Sequence, residues 1–165
     1  MKTIKFILII FYVMINSVYA QDKGKIDNFK KFENSFLRNF KYPAQLQERC
    51  IPVLTLMVIS FDQSGEINSL RFSDSAYPQF IAEVQRVRED IDFESLYMDL
   101  KSLGKETEKI IIPIQIDTGI FGECESGILQ FDLINLYLFD NKPLKGKYFL
   151  YNKILSKILT ARAIS

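Results

Sequence analysis

The stretch Val53-Leu54-Thr55-Leu56-Met57-Val58-Ile59-Ser60-Phe61-Asp62, followed by Gln63-Ser64-Gly65-Glu66 and then by Ile67-Asn68-Ser69-Leu70-Arg71-Phe72-Ser73, decides the fold class. The first run is rich in β-branched and apolar side chains and predicts a strand. The four residues after it predict a turn, with Gly65 at the left-handed position a tight hairpin needs. The second run returns, and Leu70 and Phe72, two apart, share a face. Thr55, Met57, Ile59 and Phe61 would face helices, and Leu54, Leu56 and Val58 would face the other way. An antiparallel sheet commonly leaves its second face to water. Exposing three such side chains would forgo about 1.5–3 kcal/mol each. Something is therefore expected to cover that second face.

Upstream, Phe29, Phe32, Phe36 and Phe40 recur at helical spacing, so a helix is expected to about Phe40. Pro43 disfavours helical backbone at Tyr42, giving a break and then a short second helix to Arg49. Downstream, Phe80, Ile81, Val84, Val87 and Ile91 form one stripe of a helix over 78–91. Residues 93–109 read as a loop with weak helical character near Leu96 to Leu100. Ile110, Ile112, Ile114 and Ile116 alternate on one face of a third strand. Pro113 within it lacks an N–H, which favours an edge or the end of the pairing. Thr118 to Gly127 reads as a Gly-bearing loop, and Ile128 to Asp140 fits strand or helix alike. Asn141-Lys142-Pro143 reads as a turn. Lys145 to Ala163 reads as a closing amphipathic helix whose Phe149, Leu150, Ile154 and Ile158 would pack on the second sheet face. The expected fold is therefore α+β: a small three-stranded antiparallel sheet in the order helix, hairpin, helix, strand, with helices on one face and a helical C-terminal extension.

The N-terminus carries Lys2 and Lys5, an uncharged apolar run from Phe6 to Ile15, and a small-residue exit with Val18 and Ala20. That order predicts a signal peptide over 1–20, with an apolar run of ten residues against the roughly 20 needed to span a bilayer. The expected organisation is a leader at 1–20, a domain at 21–117 and an extension at 118–165 packed on it. The expected location is periplasmic or extracellular, with no membrane span after cleavage. Loss of the leader removes two of the 21 basic residues and none of the 20 acidic ones, leaving a net charge of −1. Near-neutral charge gives no case for nucleic acid or anionic lipid and predicts an ordinary soluble surface. The chain has no His, which excludes Ser-His-Asp and Cys-His catalysis and His-bearing zinc sites. Its two cysteines, Cys50 and Cys124, fit either a disulfide, which export permits, or two buried thiols.

Several spaced motifs resemble the C-terminal domain of TonB and its exported relatives of the Bacteroidetes type. Phe36 and Tyr42-Pro43 resemble the family's helix-to-Tyr-Pro opening. Phe61-Asp62-Gln63-Ser64-Gly65-Glu66-Ile67 resembles its hairpin, Glu83-Val84-Gln85-Arg86-Val87 its second helix, and Ile112-Pro113-Ile114 its last strand. The resemblance spans about Phe32 to Asp117. Leu46 stands where the family usually has Ala, and Val53 where it has Gly. The proline-rich spacer and transmembrane anchor of TonB have no counterpart, so the resemblance implies a fold and a mode of contact rather than energy coupling.

The resemblance implies a non-enzymatic interaction module that binds an envelope protein or peptide by strand addition, with Ile110, Ile112, Ile114 and Ile116 marking the edge. Against this stands the reading of those isoleucines as plain core. A second copy of the chain is the other partner considered. A carboxylate-based hydrolase would draw on Asp62, Glu66, Asp74 and Glu83, but Asp62 and Glu66 read as turn residues and Glu83 as a surface pair with Arg86. A binder of a small apolar ligand would need a ring-lined pocket between sheet and extension. No catalytic set, cofactor loop or metal cluster is expected.

Overall fold

The computed structural model describes residues 27–120, 124–125 and 127–160. The leader expected at 1–20 lies outside them. Helix α1 (Asn28–Asn39) starts where the Asp27 carboxylate accepts from the Lys30 N–H at 3.0 Å, the ordinary N-cap arrangement. It ends at Phe40, whose backbone is extended. After Pro43 comes the single turn α2 (Ala44–Gln47). Strands β1 (Val53–Phe61) and β2 (Ile67–Phe72) form the expected hairpin. Gly65 sits at its turn with φ 90°, and the Tyr97 ring lies 2.7 Å from where a Cβ would be. Helix α3 (Pro78–Arg86) opens on a proline, whose missing N–H costs nothing in a first turn. It gives way to a 3-10 turn at Arg88–Asp90. Within residues 93–109, read as a loop with weak helical character near Leu96 to Leu100, a full helix forms, α4 (Phe93–Ser102). The cause is a cap: Asp92 accepts from the Ser95 N–H at 2.9 Å and from its hydroxyl at 2.7 Å.

The fold class is α+β, but the sheet is not a small three-stranded antiparallel one. Strand β3 (Ile110–Ile120) pairs antiparallel with β1 and, on its other edge, parallel with β7 (Phe149–Leu150) and β8 (Ile154–Thr160). With β4 (Cys124–Glu125) the mixed sheet holds six strand segments. The closing helix expected from Lys145 is therefore absent, and β7 and β8 stand in its place. The run Ile154-Leu155-Ser156-Lys157-Ile158-Leu159 repeats at i, i+4, a spacing common to one helix turn and two strand periods. The exposed side of β3 resolves that ambiguity in favour of a strand.

A parallel neighbour requires a crossover. Residues 127–148 supply it through α5 (Gln130–Asn135) and a separate hairpin of β5 (Leu138–Phe139) and β6 (Lys142–Pro143). Asp140 and Asn141 link these strands with φ of 54° and 59°, the two left-handed residues of a type I′ turn.

Pro113 sits in a central strand, opposite Leu56. The carbonyls of Lys109 and Ile111 accept from the N–H groups of Phe149 and Tyr151, so alternate residues, Pro113 included, turn their polar backbone groups toward that far edge. Pairing there covers Ile110 and Ile111 through β7 and resumes at Ile114 through β8. The missing prolyl donor falls in the gap.

Helices α1, α3 and α4 cover one face of the sheet, where Phe32, Phe36, Phe80, Leu96 and Leu100 pack on Met57, Ile59 and the isoleucines of β3. The second face is covered, as expected of the apolar β1 strand, but by different residues. Leu56 and Val58 pack with Phe139, Leu136, Leu144 and Tyr148 of the crossover. Ile154, Phe149 and Ile158 belong to the helix-side core instead, and Leu150 is 67% exposed.

Candidate functional site

The four isoleucines proposed as a binding edge are fully buried beneath the helices. Both edges of their strand are occupied, by β1 and by β7 with β8. They are core residues, and no strand can be added to β3 where these neighbours run. The outer edge of the sheet lies one strand further, at β8. Among the described residues nothing pairs with the far side of β8. Ile154 and Ile158 turn toward the helix-side core, so Leu155, Lys157 and Leu159 point to the crossover side. Leu155 and Leu159 are 50% and 57% exposed. In β2, the opposite edge, Ile67, Leu70 and Phe72 pack on the core, and Arg71 is tied to Asp140 at 3.0 Å and lies 5.4 Å from the Phe139 ring centroid.

Of the four carboxylates considered for acid–base work, Asp62, Asp74 and Glu83 hold a piece of backbone or a surface pair. Asp62 closes the β1–β2 turn, accepting from the Ser64 hydroxyl and from the N–H groups of Ser64 and Glu66. The Ser64 hydroxyl is the main reason its pKa lies below the usual carboxylate value. Asp74 accepts from the N–H groups of Asp140 and Asn141 at 2.9 and 2.7 Å, pinning the β5–β6 turn to the end of β2. Glu83 pairs with Arg86 at 2.7 Å and accepts from the Lys41 N–H, and the Arg86 contact lowers its pKa. Glu66 lines an open cleft of about 490 Å³ with Ile67, Arg88, Glu89, Phe93 and Glu94. That cleft lies by the hairpin turn and the start of α4, not between sheet and extension, and one aromatic ring lines it. It does not match the ring-lined pocket an apolar ligand requires.

Cys50 is disulfide-bonded, which overturns its reading as a free thiol. The chain's other cysteine, Cys124, opens β4. Gly119 and Ile120 of β3 pair with β8 on one edge and with β4 on the other. Strand β4 thus continues the line of β1 beyond Val53, the end from which Cys50 departs. This placement fits a Cys50–Cys124 bridge, one of the two readings left open by the sequence.

A polar junction at the same end of the molecule was not anticipated. Asp132 of α5 is fully buried and accepts from the Leu129 N–H at 3.0 Å and the Tyr77 hydroxyl at 3.3 Å. Tyr42 donates to the Ile51 carbonyl. Burial, then the proximity of Tyr77, Asp117 and Asp132, pushes its hydroxyl well above the usual tyrosine pKa. Burial likewise raises Tyr77, with Asp132 adding to the shift. The junction ties the crossover to the helical layer. The sequence signal was Asp132 itself, the one charged residue between Ile128 and Asn135 of a mostly apolar run.

No protein-family model, curated protein or solved structure matches this chain.

Proposed function

We propose that this chain is an exported, non-enzymatic interaction module of the cell envelope that takes up an extended segment of a partner protein along the outer edge of β8. The observation that supports it is the unpaired far side of β8 among the described residues, flanked by half-exposed Leu155 and Leu159. Unpaired strand edges offer main-chain donors and acceptors to an incoming strand, and alternate side chains give selectivity. The resemblance to TonB C-terminal domains supports the mode of contact, with the edge moved from the isoleucine strand to its neighbour.

The test selects peptides from a random display library on the purified exported chain and then maps amide hydrogen exchange with the bound peptide. Protection confined to the β8 amides, and loss of binding in the Leu155→Lys/Leu159→Lys variant, is the expected result. Protection at the cleft near Arg88, or binding untouched by both substitutions, would overturn the proposal.

A further inference from the structure

All 20 acidic residues of the chain precede Asn141. Between Asn141 and Thr160 there are instead five lysines, Lys142, Lys145, Lys147, Lys153 and Lys157, and every one is exposed. None is in an ion pair among the described residues. The near-neutral total thus conceals a strong segregation of charge, and the sequence expectation that charge gives no case for anionic lipid does not hold for this segment.

The crossover, which holds Lys142, Lys145 and Lys147 and one strongly exposed acid, Asp140, also carries uncovered apolar surface. The crossover lies on the sheet face opposite the helices. Its Phe131, Leu133, Ile134 and Tyr137 are between 53% and 63% exposed. Leu155 and Leu159 point to that side as well, with Lys157 between them. Exposed apolar groups gathered in this way mark an interaction site rather than ordinary surface.

We infer that this face docks on an anionic lipid bilayer, lying on it rather than crossing it. Charge complementarity selects this occupant. Protein–protein interfaces are depleted in lysine, whereas faces that lie in a lipid headgroup layer combine lysines with leucine, isoleucine and aromatic side chains. Lysine stems rest along apolar surface while their ammonium groups reach the headgroups. A second copy of the chain is a poor occupant, because a two-fold contact sets the same patch against itself and would oppose the lysines to one another. No helix among the described residues is long and apolar enough to cross a membrane, in keeping with a docked rather than inserted state.

The experiment is vesicle co-sedimentation of the chain purified after export, with its N-terminus fixed by mass spectrometry. Phosphatidylcholine vesicles are compared with vesicles containing about 30% phosphatidylglycerol, near the anionic content that attracts basic segments. Partition onto the anionic vesicles is expected, weakening at least tenfold as salt rises from about 0.05 to about 0.5 M. A lysine near such a surface is worth about fivefold, so Lys142→Gln/Lys145→Gln/Lys157→Gln should lose about a hundredfold. Phe131→Ser/Ile134→Ser, which alters only exposed side chains, should also lose binding while keeping the circular dichroism of the parent. Absence of sedimentation with anionic vesicles overturns the inference, as does equal sedimentation with neutral ones. A lipid-free dimer in ultracentrifugation that Phe131→Ser/Ile134→Ser dissociates overturns it in favour of a second copy. Capture of an acidic peptide at the lysines, with no vesicle binding, overturns it in favour of a protein partner.

Discussion

The helix-covered face of the sheet buries Phe32, Phe36, Phe80, Leu96 and Leu100 completely, whereas the crossover face buries Leu56, Val58 and Phe139 and leaves Phe131, Ile134, Leu155 and Leu159 half open to water. The first face is built of regular helices whose aromatic rings interlock, as where Phe40 lies 5.3 Å from Phe80 and Phe32 5.4 Å from Phe93. The second is a short helix and a two-residue-stranded hairpin, held at Asp74, which accepts from two backbone N–H groups, and at Asp132, which accepts from the Tyr77 hydroxyl. One face supplies stability, and the other retains apolar surface beyond what its own folding uses. Charge divides along the chain rather than between the faces, with every acid, Asp132 and Asp140 of the crossover included, before Asn141 and five exposed lysines after it.

The largest test of this contrast is on the helix side. Phe32→Ala removes a fully buried ring that touches Phe29, Phe36 and Phe93. It should cost about 4 kcal/mol, in the range for aromatic truncation in a packed core, read from urea unfolding at neutral pH. The loss should be global, slowing no single segment and shifting the midpoint of the whole transition. A cost below about 2 kcal/mol would mean that this core relaxes more readily than close packing allows, and the contrast between faces would lose its stronger half.

How much of this was legible in the sequence follows the same division. The hairpin, the break before Pro43 and the isoleucine strand were readable because their signals are local: a glycine at a turn, a proline, an alternation of period two. Helix α4 was underestimated because the capping role of Asp92 toward Ser95 is a weaker signal than apolar periodicity. The tail was misread because Ile154/Ile158 and Leu155/Leu159 satisfy helix and strand alike, and only the far edge of β3, distant in sequence, decides between them. Pro113 pointed to an edge, and its role emerged once the interruption between β7 and β8 was known. The edge at β8 could not be found before the tail was read as a strand. The lysine segregation, by contrast, was present in the sequence and hidden by summing charge over the chain.

On the crossover side the corresponding substitution is Phe139→Ala. Phe139 is 5% exposed and bridges Leu56 and Val58 to the hairpin, with Arg71 over its ring. The expected cost is about 3 kcal/mol, smaller than at Phe32 because this cluster is small and borders solvent. The distribution matters more than the total. Hydrogen exchange should quicken over about 128–148 while the amides of β1 and β3 keep their protection, as local opening predicts. Uniform loss of protection across the sheet would show that the two faces unfold together and that the crossover is no less integral than the helices.

The smallest effect lies where the two regions meet. Tyr42 belongs to the helix-side core, yet its hydroxyl is under the influence of Tyr77, Asp117 and Asp132, the last of these on the crossover. Burial, foremost among the causes, raises its folded-state pKa above the ordinary tyrosine value. The unfolded chain releases this proton near pH about 10, while the folded chain still holds it. Unfolding therefore releases a proton in that window, so stability is fully present below about pH 10 and declines as pH rises toward the folded-state value. Tyr77 is shifted the same way and adds to the decline. Tyr42→Phe removes the larger source, because phenylalanine has nothing to titrate. Urea midpoints measured from about pH 8 to about pH 11 should fall less steeply in the variant than in the parent. At pH about 8 the variant should be weaker by about 1 kcal/mol, the usual worth of one hydrogen bond, here the one to the Ile51 carbonyl. Identical slopes would place the alkaline sensitivity elsewhere and uncouple Tyr42 from the polar junction that joins the crossover to the helices.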